Sequence, residues 1–174
     1  MASKQLALSV GSVSFPIFSK WQNDLNRLHN GIHKFLSHTM FVIGPILVTL
    51  FVVAKPFVIL LLTEKWAPMI PYLRLFCILG LLYPISLINF QFILSQGKSK
   101  LGFHLDLIRN SLRIINIIIT YRFGVYYIIL GEIIVTLLML SIITIYIRKR
   151  MNYGIIKQIL DIKETVLALT ISLF

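Results

Sequence analysis

Asp106, Arg109, Asn110, Arg113, Asn116 and Thr120 recur every few residues through Leu101 to Tyr121, a stretch otherwise rich in Leu and Ile. At 100° per residue these six fall within about a third of a helix circumference, and Leu107, Ile108, Leu112, Ile115, Ile118 and Ile119 lie largely away from them. Such a stripe on an apolar helix has two uses. Its guanidinium groups can attract anionic groups along a polar pathway, or its charges and amides can lock neighbouring helices together. Either use requires the stripe to face protein or water, because charge facing lipid is costly. Glu132 joins the set as the one charged residue of Phe123 to Ile147. If the two stretches form an antiparallel hairpin about Phe123, residues whose numbers sum to about 246 share a depth, and 113 + 132 = 245. An ion pair between Arg113 and Glu132 is therefore expected, each about 14 Å of helix below the turn.

Other reactive side chains form no catalytic pattern. His29 and His33 are spaced as two ligands on one helix face would be, but His38 lies off that face and no HExxH arrangement accompanies them. They read as surface histidines, and no metal site is expected. No serine sits in a GxSxG turn and no glycine-rich phosphate loop is present. Cys77 is the single cysteine, which excludes a disulfide within the chain. The sequence predicts no catalytic residues and no cofactor, so the chain reads as something other than an enzyme.

The elements that hold the stripe are set by the bilayer. The chain has 174 residues, 57% of them hydrophobic and 13% charged, which does not describe a soluble globular domain. Leu75 to Gly97 and Phe123 to Ile147 are each long enough to cross a hydrocarbon core about 30 Å thick. Phe35 to Ala54 is a third crossing, with Pro45 expected to kink it, and Leu101 to Tyr121 is a less apolar fourth. Pro68 and Pro71 suit the first turn of the helix leading to Gly97. Phe57 to Thr63 either extends the preceding helix or folds back along the interface. Leu25, Leu28, Ile32 and Phe35 recur at helical spacing within a polar segment, predicting a short amphipathic helix on the membrane surface beside Trp21. Ser3, Ala7 and Gly11, four residues apart, predict a close packing face.

The runs Gln5 to Phe18 and Thr165 to Phe174 cover about 21 and 15 Å as helices, each short of a crossing. The expected fold is an all-α polytopic helical bundle of about four full spans with a partial helix at each end, forming one membrane domain over residues 1–174. The formal net charge of +11 sits mostly in short connections. Such charge orients a membrane protein and touches anionic membrane lipids, with no nucleic acid implied. Lys20 to Lys34, Lys98 to Lys100 and Arg148 to Lys163 should face the cytoplasm. Lys55, Arg74 and Trp66 then lie at the outer interface, suited to snorkelling and anchoring.

Several segments carry a family resemblance in chain order: Phe15-Pro16-Ile17-Phe18-Ser19-Lys20-Trp21-Gln22-Asn23-Asp24, Leu61-Leu62-Thr63-Glu64-Lys65-Trp66-Ala67-Pro68, Leu94-Ser95-Gln96-Gly97-Lys98-Ser99 and Phe123-Gly124-Val125. Together they resemble bacterial polysaccharide-export flippases of the multidrug/oligosaccharidyl-lipid/polysaccharide exporter superfamily. Thr63 stands where that family usually has glycine, and Tyr126-Tyr127 where small residues are common. The resemblance implies a fragment of the C-terminal lobe of a larger bacterial inner-membrane transporter. That transporter would move an undecaprenyl-pyrophosphate-linked oligosaccharide by alternating access, with the N-terminal lobe as the missing partner and the fragment inactive alone. The stripe's arginines would then meet pyrophosphate. The alternatives are an integral-membrane glycan polymerase or acyltransferase, which would need larger outer loops or an acid/base constellation, and a multidrug exporter of the same superfamily.

Overall fold

The computed structural model describes residues 19–20 and 24–151. Its main elements are α1 (Leu25–Val52), α2 (Ala54–Leu62), a 3₁₀ turn (Glu64–Met69), α3 (Ile70–Ser95), α4 (Ser99–Thr120), a second 3₁₀ turn (Tyr121–Phe123) and α5 (Val125–Met151). No strand occurs among the described residues. The all-α membrane bundle read from the sequence is the fold. Three stretches are long and apolar enough to cross a bilayer, Asn30–Val52, Glu64–Ser95 and Val125–Ile147. The fourth expected crossing, α4, has the length at 22 residues but carries the polar stripe. Both expected partial helices, Trp21 and the Ser3, Ala7, Gly11 face lie outside the described residues.

The helices alternate in direction, so the start of α1, the α3–α4 turn and the end of α5 share one end of the bundle. That end holds the main core, where Leu28, Ile32, Leu36 and Met40 pack with Ile88, Phe92, Ile93, Leu105, Met139, Ile143 and Ile147. A smaller cluster of Ile43, Leu47 and Cys77 joins α1 to α3 farther out. The amphipathic segment is therefore corrected. It is the first part of one continuous α1, and Leu28 and Ile32 are fully buried. Its periodicity continues in phase into Leu36, Met40, Ile43 and Leu47, so its apolar face meets protein instead of lipid.

Pro45 lies inside α1, as expected, without ending it. The break falls at Val53, with φ −85° and ψ 11°, three residues before Pro56. A proline ring crowds the carbonyl four residues earlier, here that of Val52, and Pro56 lacks the N–H that would have bonded to it. α2 then projects Leu60 and Leu61 outward. α5 continues to Met151, so Arg148 to Arg150 end the apolar span and not the helix.

Three of the four motifs of the family resemblance each hold one residue with a backbone that most side chains avoid, and most of the fourth, Phe15 to Asp24, lies outside the described residues. Gly97 has φ 70° just past the end of α3, and Gly124 has φ 98° and ψ 170° between the second 3₁₀ turn and α5. Thr63 closes α2 with φ 74° and ψ 166°, a region populated almost only by glycine and costing on the order of 1–3 kcal/mol for other residues. Thr63→Gly should therefore stabilise the chain by about 1 kcal/mol once glycine's greater unfolded entropy is subtracted. The check is the unfolding midpoint in detergent. Thr63→Val, which keeps the branched Cβ, should show no gain, and equal midpoints for Thr63→Gly and the unaltered chain would remove the strain argument.

Candidate functional site

The stripe on α4 resolves into two rows. Asp106 and Asn110 lie on its exposed edge, linked by a long contact of 3.5 Å from Asn110 Nδ2 to Asp106 Oδ2. Arg109, Arg113, Asn116 and Thr120 are less exposed than these two. Their spacing of four, three and four residues keeps one face aligned along the whole helix.

The expected ion pair is present. Arg113 Nη2 stands 2.7 Å from Glu132 Oε1, and its Nε donates to the same oxygen at 2.8 Å. One turn farther out, Asn116 Nδ2 donates to the Ile128 carbonyl at 3.0 Å, and the Thr120 hydroxyl donates to the Asn116 carbonyl at 2.6 Å. Asn116 also lies over Gly131, where an added Cβ would fall 1.7 Å from Asn116 Oδ1. Only a residue without a side chain lets the Asn116 amide cross to the α5 backbone there. At the α3–α4 end Gly102 plays a comparable part against Leu94 of α3, and Lys98 Nζ donates to the Tyr146 hydroxyl of α5.

Arg109 is held differently. Its guanidinium lies over the Phe90 ring at 5.1 Å from the centroid, and its nearest carboxylate, Asp106, is 3.9 Å away. The Arg109 side chain is 19% exposed, and its Nη2 is buried with no hydrogen-bond partner among the described residues. Arg109 and Arg113 together line a cleft whose other walls include Tyr83, Ser86 and Phe90 of α3 and Thr136 of α5. Those α3 and α5 residues did not stand out in the sequence. Tyr83, Ser86 and Phe90 are spaced i, i+3 and i+7, which puts them on one face of α3. That spacing was the available signal, masked by the strongly apolar helix around it.

At the end of the bundle opposite the α3–α4 turn, Arg74 lies over the Phe51 ring at 5.7 Å, Trp66 is 47% exposed, and Tyr72, Tyr126, Tyr127 and Phe123 make edge-to-face contacts. These are the contacts of an interfacial aromatic belt. Among the described residues no group of three His, Cys, Asp or Glu converges.

Residues 1–71 match a family described as polysaccharide biosynthesis protein. The lipopolysaccharide biosynthesis protein WzxC of Escherichia coli K12 is 33% identical over 107 residues, 62% of this chain and 22% of that protein. An uncharacterised membrane protein in the cps region of Klebsiella pneumoniae is 31% identical over 97 residues, 56% of this chain and 20% of its own length. The teichuronic acid biosynthesis protein TuaB of Bacillus subtilis 168 is 29% identical over 97 residues, with the same coverage of each chain. No solved structure matches significantly. The matched region thus amounts to about a fifth of the length of these relatives. The crossing helices and these matches agree with the resemblance drawn from the ordered motifs: the chain is a multi-pass protein of the bacterial inner membrane, similar over part of its length to bacterial polysaccharide biosynthesis proteins.

Proposed function

We propose that the chain forms part of the C-terminal lobe of a flippase that translocates an undecaprenyl-pyrophosphate-linked oligosaccharide during polysaccharide export. The observation that carries this reading is the paired arrangement of α4 and α5. A charged stripe is kept within the bundle by Glu132, Asn116 and Gly131, while two guanidinium groups remain on the wall of a cleft. A helix serving only as a hydrophobic wall needs none of these groups, and burying them is costly unless they are used. The relatives' names, taken from proteins of lipopolysaccharide and teichuronic acid biosynthesis, favour glycan over drug transport. Alternating access also requires an opposing lobe, so the chain is inactive alone.

A chimera tests this directly. In an Escherichia coli strain lacking WzxC, the aligned segment of WzxC is exchanged for that of this chain, and surface polysaccharide is measured. The chimera should restore export and the chain alone should not. A chimera that inserts at the normal level yet exports nothing would argue against the assignment, and export by the chain alone would refute its inactivity.

A further inference from the structure

We infer that the cleft between α3, α4 and α5 is a binding site for a small inorganic anion of halide or nitrate size, with Arg109 as its principal ligand. The lining is rich in donors: the guanidinium groups of Arg109 and Arg113 and the hydroxyls of Tyr83, Ser86 and Thr136, with no carboxylate among the described residues that form it. The two arginines are unequally satisfied. Glu132 takes both Nε and Nη2 of Arg113 within 2.8 Å, whereas Arg109 has only the exposed Asp106 at 3.9 Å and an Nη2 without an acceptor. A guanidinium cannot shed its proton, and among the described residues the long Asp106 contact answers it only in part, so an anion in the cleft would complete its neutralisation.

Size and depth narrow the occupant. The cleft volume is about 60 Å³. One water needs about 10–15 Å³, so the space suits a few waters or one small ion. Arg109 lies about 15 Å of helix from the α3–α4 turn, near the middle of the bilayer and well below the level of resident headgroups. The Phe90 face on one side of the guanidinium leaves its remaining N–H edges to serve the anion.

The test uses the full chain in nanodiscs of phosphatidylcholine, followed by thermal unfolding at constant ionic strength as sodium gluconate is replaced by sodium bromide, chloride or nitrate. A ligand that binds only the folded state raises the midpoint by mass action. The expected result is a saturable rise with bromide, chloride and nitrate. It should be abolished by Arg109→Gln, weakened about tenfold in apparent affinity by Arg109→Lys, and retained in Lys55→Gln and Arg122→Gln. Because Arg109→Gln alters a partly buried group, bromine or chlorine NMR line broadening on the Arg109→Lys protein supplies a second reading that does not depend on stability. Several results would overturn the site: an equal rise in gluconate, a response unchanged by Arg109→Lys, an equal loss in Lys55→Gln, or a response to inorganic phosphate with none to halide.

Discussion

Glu132→Gln lowers the stability of the α4–α5 hairpin by about 2 kcal/mol, and Arg113→Gln by less. An unpaired Arg near the bilayer centre costs about 2.5–3.5 kcal/mol on insertion scales, and the 43% exposure of the Arg113 side chain relieves part of that. The two halves are not equivalent. Without Glu132, Arg113 keeps its charge, because a guanidinium does not deprotonate in a protein. Unfolding by sodium dodecyl sulfate in mixed micelles measures the difference. The double exchange Arg113→Glu with Glu132→Arg should recover at least half of the larger single loss, since the interaction is then restored with its sign reversed. A swapped protein no more stable than either single variant would show that the 2.7 Å contact contributes geometry without energy.

That pair was legible in the sequence because it needs only two quantities, the turn position and the helical rise. Depth along a hairpin follows from counting, and a lone glutamate in an apolar span calls for a partner. Rotation about the helix axis is a different matter. Arg109 and Arg113 share a stripe, yet only Arg113 meets a carboxylate closely, because which row of α4 faces α5 is decided by side chains on both helices. Asn116 against Gly131 is the clearest case. Asn116 stands out as part of the stripe but Gly131 does not stand out in α5, and the contact exists only when the two surfaces are matched.

The amphipathic segment before Phe35 shows a related limit. Its period was right, and its environment was not, since an apolar helix face reads the same whether lipid or protein covers it. What decides is continuity of phase with Leu36, Met40 and Ile43, which puts the whole stripe on one side of a single α1. Thr63 is the opposite case. No periodicity marks it, and its strain is signalled in the sequence only by the family resemblance, which implies a glycine there.

Gly131→Ala should cost about 1–3 kcal/mol, the range for overpacking a tight contact, in spite of alanine's better helix propensity. The new Cβ would lie 1.7 Å from Oδ1 and 2.5 Å from Cγ of Asn116, so rotating the amide alone cannot clear it. The side chain must swing away and give up its 3.0 Å bond to the Ile128 carbonyl. Removing the obstacle should then reverse the effect: Asn116→Ala alone forfeits about 0.6 kcal/mol, typical of one interhelical hydrogen bond in a membrane, and the double variant Asn116→Ala with Gly131→Ala should be more stable than Gly131→Ala. Such a negative coupling is the signature of a steric contact. The same micelle unfolding measurement decides it, with Gly44→Ala as the control, because a Cβ at Gly44 meets nothing within 4 Å. If Gly131→Ala were as mild as the control, α4 and α5 would not be held in register by this contact, and the placement of Arg113 against Glu132 would have to rest on the ion pair alone.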